Sequence, residues 1–127
     1  MHHSRLCTIV IDCQVDDIKT ATDFWSRAFG KPVASFDQDG DGKYAELETA
    51  ADEPIILVQK VGHESRVHLD IETDDIEAEV KRLETLGAKR VEFPHGRWWV
   101  MEAPTGQRFC VVRPQRKEFG PHLNEWP

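Results

Sequence analysis

Two side chains capable of chemistry stand two residues apart in the stretch VHLDIETDDIEAEVKRLETLGA, residues 67–88: His68 and Asp70. Alternate residues of a strand share a face, so His68 and Asp70 lie on one side and Val67, Leu69 and Ile71 on the other. A histidine titrates near neutrality and serves as general acid, general base or metal ligand. The competing reading is an imidazole hydrogen-bonded to a nearby acid, with no chemistry. An earlier acid, Asp12, matches Asp70, because IVIDCQVDDI (9–18) lies without gaps on VHLDIETDDI (67–76). Paired carboxylates can divide acid and base work, although acids at strand ends more often cap the next helix or sit at a rim. Cys110 lies in the apolar run Phe109, Val111, Val112, where a small buried thiol is the plainer reading than a nucleophile. A His and Cys pair suits zinc, but zinc takes three or four protein ligands. Trp98, Trp99 and Met101 form the most ligand-like apolar group. Adjacent tryptophans on a strand point to opposite faces, so one belongs to the core and one to a cavity. Arg97 and Arg108 flank them, either to meet an anionic group or to face solvent.

These residues need two copies of one unit to position them. Each copy starts with a strand, passes through an Asp-Asp-Ile triplet (16–18 and 74–76) and enters a helix ending at Gly30 or Gly87. Asp16 and Asp74 read as the helix N-caps, with Glu77 at the capping-box spacing from Asp74. The predicted buried stripes are Ile18, Ala21, Phe24 or Trp25, and Ala28 in the first helix, and Ile76, Val80, Leu83 and Leu86 in the second. The second helix is expected to cover Val67, Leu69 and Ile71. Residues 6–14 read as the first strand, with His2 and His3 in a frayed terminus. Strands at 33–36, 44–48 and 55–61 complete the first copy, and strands at 90–93, 98–102 and 108–113 the second. Residues 37–43, DQDGDGK, look a little like a calcium loop. They lack its glycine spacing and its glutamate, so a hairpin turn is expected. The order strand, helix, three strands, written twice, predicts an α+β fold of two βαβββ modules pairing into a cupped, curved mixed sheet.

The chain has 127 residues, 39% of them hydrophobic and 31% charged, enough for one core without staples. The formal net charge of −7 argues against nucleic acid and anionic membrane surfaces, and mildly favours a neutral or cationic partner. Three cysteines form no CxxC, and the N-terminal residues carry no secretory pattern, so a reduced, cytoplasmic protein is expected.

The element order, the stretch 67–88 and the ending WWVMEAPTGQRFCVV resemble the vicinal oxygen chelate superfamily of glyoxalases, bleomycin-resistance proteins and extradiol dioxygenases, most of all its small glyoxalase-like proteins. The first helix, TATDFWSRAFGKPV, resembles that family too, with Phe29 replacing a leucine. The resemblance implies one glyoxalase-like domain over residues 5–114, with modules at 5–62 and 65–114. The tail at 115–127 is outside it; with Phe119 and Trp126 as apolar anchors, it is expected to lie across its own domain or a neighbouring subunit. It also implies a homodimer and, in metal-using members, four ligands on the first and last strands of the two copies. Carried over, those positions are Val10, Gln59, His68 and Cys110. Only His68 is a standard ligand, and Val10 cannot bind a metal. The family's Asp-Pro-x-Gly-Asn loop appears as Ala103-Pro104-Thr105-Gly106-Gln107, without its Asp and Asn.

Two functions follow. One is a small-molecule binding protein of the bleomycin-resistance type without an intact metal site, its ligand met by His68, Asp70, Asp12, Gln59, Trp99, Met101 and Cys110. The other is a lyase, isomerase or dioxygenase of the superfamily that uses a divalent metal at His68 to stabilise an enediolate or chelate vicinal oxygens.

Overall fold

The computed structural model describes residues 1–36, 42–120 and 122–127. The chain forms two compact units, Thr8–His68 and Met1–Cys7 with Leu69–Pro127. Two strands, β1 (His2–Cys13) and β5 (Arg66–Thr73), each contribute residues to both. The expected α+β class and the two βαβββ modules are what the structure has. No helix among the described residues is long and apolar enough to cross a membrane.

In the Thr8–His68 unit, β1 leads into α1 (Ile18–Phe29), followed by β2 (Val33–Phe36), β3 (Tyr44–Leu47) and β4 (Ile55–Lys60). The strand order is β2-β3-β4-β1, antiparallel except for the parallel β4–β1 pair. The helix between β1 and the later strands supplies the crossover that a parallel pair requires. Asp17 caps α1, its carboxylate accepting from the Lys19 N–H at 2.9 Å. The expected cap, Asp16, stands one residue too early: with two aspartates in a row, the one in extended conformation next to the first helical turn does the capping. Gly30 closes the helix at φ 65°, as its type predicts. Ile18, Ala21 and Trp25 pack with Ile11, Cys13, Ala45 and Val58. Phe24 and Ala28 instead face solvent, and Thr22 is buried, its hydroxyl donating to the Ile18 carbonyl at 2.7 Å. The hairpin expected at 37–43 falls mostly outside the described residues.

In the other unit, β5 runs into α2 (Ile76–Thr85), then β6 (Lys89–Glu92), β7 (Trp99–Glu102), β8 (Arg108–Val112) and β9 (Asn124–Trp126). The order is β1-β5-β8-β7-β6, with β9 antiparallel on the start of β1. Residues 94–96 form a short turn that holds His95 at φ 54°. Val80 and Leu83 of α2 pack on Met101, Val111 and Ala88, with Ile71, Trp99 and Phe109 around them. The cap is Asp75, which accepts from the Ala78 N–H at 3.0 Å. Asp74, the expected cap, instead binds the backbone N–H and Nδ1 of His3, each at 2.8 Å. The capping box is therefore absent, and Glu77 pairs with Arg90. Val67, Leu69 and Leu86 were expected under cover and are exposed at 57%, 44% and 64%.

The N-terminal histidines are not frayed. His2 is 5% exposed and bonds the fully buried Glu79 at 2.8 Å. Arg82 donates to both Glu79 oxygens, at 2.8 and 2.9 Å, and its guanidinium lies 3.8 Å from the Trp126 ring centre. Trp126 Nε1 donates to Ser4 Oγ at 2.8 Å, so the tail closes this network from within its own unit. Burial pushes the Glu79 carboxyl up, but hydrogen bonds from Arg82, His2 and Ser4 and the Arg82 charge outweigh it and hold the group below its ordinary value.

Candidate functional site

In the Thr8–His68 unit, the parallel pairing of β1 and β4 sets Asp12 beside Gln59, and the β3–β4 register sets Gln59 beside Tyr44. Register partners share a face, so Asp12, Gln59 and Tyr44 form one polar row. Gln59 Nε2 donates to Tyr44 Oη at 3.2 Å. His68 joins this row: its Nδ1 lies 2.7 Å from Asp12 Oδ2. Arg66 Nε is 3.8 Å from the same oxygen. Asp12 is 2% exposed, and its Oδ1 is buried with no hydrogen-bond partner among the described residues. The acid sits at the end of a strand, yet it caps nothing; Asp17 has that task.

Gln59 also lines an open cleft of about 730 Å³ at the C-terminal ends of β1 and β4, with Gln14, Asp16, Lys43, Lys60 and His63. Lys60 Nζ donates to the Asp16 carbonyl at 2.7 Å, and Gln14 Nε2 to the Gly62 carbonyl at 3.1 Å. These bonds tie the turn after β1 to the turn after β4. Behind the row, burial pushes the Cys13 thiol up; a hydrogen bond with Trp25 opposes this, and the Asp12 charge adds to it.

In the second unit the β5–β8 and β8–β7 registers set Asp70, Cys110 and Val100 side by side. Cys7, Cys110 and Val112 are buried together there, with Trp98 and Val100 packed against them. Cys7 Sγ donates to the Asp70 carbonyl at 3.4 Å. Of the two adjacent tryptophans, Trp98 therefore shares the face of Cys110. Trp99 and Met101 do not: they pair with Val111 and Phe109 on the opposite face, under α2. Met101 is 0% exposed, and Trp99 stacks on Phe93 at 4.7 Å with the Arg90 guanidinium 5.0 Å from its ring centre. Alternation alone says that one tryptophan is core without saying which; the partners on β8 decide it. Arg108 lies 3.5 Å from Glu102 on the neighbouring strand.

Val10 is one of the positions to which the resemblance assigns a metal ligand. Val10 is hydrocarbon and 2% exposed, so it offers no lone pair. His68 and Asp70 alternate along β5, and within the second unit Cys110 of β8 stands in register with Asp70.

The glyoxalase-like domain model matches residues 8–112. The chain belongs to the glyoxalase-like family. Solved structures share the fold of this glyoxalase-like chain. A hypothetical protein from Bacillus halodurans superposes with a TM-score of 0.65 at 14% identity, covering 92% of this chain and 99% of the other. Methylmalonyl-CoA epimerase from Mycobacterium tuberculosis gives 0.64 at 18% identity, covering 88% and 89%. A glyoxalase/bleomycin resistance protein/dioxygenase superfamily member from Vibrio splendidus gives 0.56 at 16%, covering 87% and 99%. At these identities the likeness concerns fold alone. No curated protein matches the sequence.

Proposed function

We propose that this chain is a small-molecule binding protein of the bleomycin-resistance type that does not use the four-ligand metal site of its superfamily. The observation that carries this is Val10, a buried hydrocarbon at a ligand position. The ligand is met by Asp12, Gln59 and His68, which line one face of the Thr8–His68 unit. Residues 5–114 act as one binding domain of a cytoplasmic homodimer. Leu6 and Leu69, exposed apolar side chains on β1 and β5 of one unit, support self-association, because exposed apolar surface favours a partner. A monomer by light scattering at working concentration would remove the dimer.

The second reading, a divalent-metal lyase, isomerase or dioxygenase using His68, is favoured by the imidazole, a standard metal ligand. Metal content separates the two. The untagged protein is purified without chelators, exposed to manganese, iron, nickel and zinc, and assayed for ions per chain beside His68→Ala. The binding-protein reading expects no stoichiometric ion. One ion per chain, lost in the variant, would establish the second reading in its place.

A further inference from the structure

We infer that the open cleft at the C-terminal ends of β1 and β4 receives an oxyanion, the carboxylate or phosphate group of a bound small molecule. The inference rests on the preceding reading in placing a ligand on this part of the Thr8–His68 unit: Gln59 belongs both to the row with Asp12 and to the cleft wall. The formal net charge of −7 points toward a neutral or cationic partner, and the cleft reverses it locally. Two ammonium groups on its wall, Lys43 and Lys60, stand against one carboxylate, Asp16. Ligand pockets are mostly apolar. Here Val15 and Val61 are the only apolar side chains on the wall, so polar groups must do the holding.

The donors set the class of ligand. Lys31, Arg82, Arg90 and Arg108 each face a carboxylate, which compensates their charge within the fold. Lys60 instead gives one N–H to the main-chain carbonyl of Asp16, a bond that fixes the ammonium without neutralising it. An ammonium carries three N–H donors, so two are left. Gln14 spends one amide N–H on the Gly62 carbonyl and Gln59 one on Tyr44 Oη, and each amide nitrogen carries a second. The main-chain N–H groups of Gly62 and His63, in the turn after β4, meet no acceptor among the described residues.

The walls are set before a ligand arrives. The Lys60 and Gln14 bonds join the turns after β1 and β4, and the Val61 N–H donates to the Cys13 carbonyl at 2.9 Å. Groups held in this way lose little freedom on binding. A carboxylate or phosphate accepts from several donors at once and supplies the charge that Lys60 lacks, in hydrogen bonds stronger than neutral ones. A cationic or wholly apolar ligand would leave Lys60 uncompensated.

The test is a titration of the ¹⁵N-labelled full chain, freed of metal by chelator, with inorganic phosphate and separately with succinate at fixed ionic strength. Tetramethylammonium chloride is the cation control, and amide shifts are the readout. At least one anion is expected to give saturable shifts at Lys60, Gly62 and His63, and the tighter of the two tells a phosphorylated ligand from a carboxylate. Lys60→Gln removes the charge and keeps an N–H for the Asp16 carbonyl; it should weaken binding by about tenfold, the worth of a charge-assisted hydrogen bond. Asp16→Asn should tighten binding, because it removes the repelling charge and leaves the main-chain bond to Lys60 in place. A merely structural role would not give effects of opposite sign. Absence of saturable shifts with both anions overturns the inference, as does an affinity that Lys60→Gln leaves unchanged or tighter saturation by the cation. Should Lys60→Gln not fold, Asp16→Asn decides, and a failure to tighten overturns the inference. One metal ion per chain would sink the binding-protein reading, while the anion titration is read on metal-free protein, so the two failures are distinguishable.

Discussion

The two helices begin from the same triplet and bury different chemistry. Counting from Ile18 and Ile76, Ala21 of α1 occupies the place that Glu79 takes in α2, Thr22 the place of Val80, and Trp25 that of Leu83. The first helix meets its strands with small and aromatic side chains. The second carries a carboxylate at 0% exposure into its unit and compensates it with Arg82, His2 and Ser4, under a lid of Trp126. One repeated backbone unit therefore tolerates an apolar contact or a buried ionic cluster at the same step. The neighbouring segments decide which is stable: α2 has the start of β1 and β9 beside it, and these supply the partners.

The largest way to break this comparison is at Glu79. Removing one member of a buried ion pair leaves the other uncompensated and costs roughly 3–5 kcal/mol. Glu79→Ala should lose stability of that order in denaturant titrations, whereas Ala21→Gly at the equivalent step of α1 should cost about 1 kcal/mol. The comparison also carries a pH signature. The Glu79 carboxyl is held below its ordinary value of 4.5, so the ionised form contributes stability that is present above that value and is lost as pH falls through the lower, folded one. Acid titration of stability should be steeper in the natural protein than in Glu79→Gln. Equal slopes would mean that the cluster contributes nothing through ionisation.

A second, smaller effect is expected at Trp126. Trp126→Ala removes the bond to Ser4 and the ring beneath Arg82, for a loss of about 2 kcal/mol. Hydrogen exchange should show loosening at His2–Ser4, which pair with β9, and none in α1.

The caps sharpen the likeness rather than the difference. Asp17→Ala and Asp75→Ala should each cost about 1 kcal/mol, because each removes one carboxylate bond to a first-turn N–H. The first aspartate of each doublet should split the pair. Asp74→Ala loses two bonds to His3, while Asp16→Ala should be nearly silent, since Lys60 uses the Asp16 backbone carbonyl and not its side chain. Thermal midpoints of the four variants would show whether the doublets behave alike.

These assignments also mark what could be read in the residues beforehand. The repeat, both helices and most strands within a residue or two were legible, because period-two and period-3.6 patterns with Gly30 and Gly87 as stops are local signals. The choice between Asp16 and Asp17, or Asp74 and Asp75, was not. Either aspartate can cap, and the backbone angle that selects one is set by how the strand enters the turn. His2 and Glu79 escaped for a further reason. A polar residue at a chain end and a glutamate on a helix look solvated until a partner distant in sequence is found, and theirs lie 77 positions apart. Within the candidate site, His68 and Asp12 were legible as a histidine and an acid on strands. Their contact was not, because it depends on which strand segments share a unit. That Trp99 and Met101 pack under α2 was not legible either, because hydrophobicity alone does not reveal which side of a strand a helix will cover.

The burial of all three thiols has a use of its own. Cys13 lies in one unit and Cys7 and Cys110 in the other, none of them in a disulfide. A thiol reagent reaches such groups only when the structure around them opens, so labelling rates become clocks of local opening. The raised Cys13 thiol makes its chemistry slower still, and that lag must be corrected with the unfolded chain as reference. The protein thus carries built-in reporters, and they say whether its halves breathe together or one at a time.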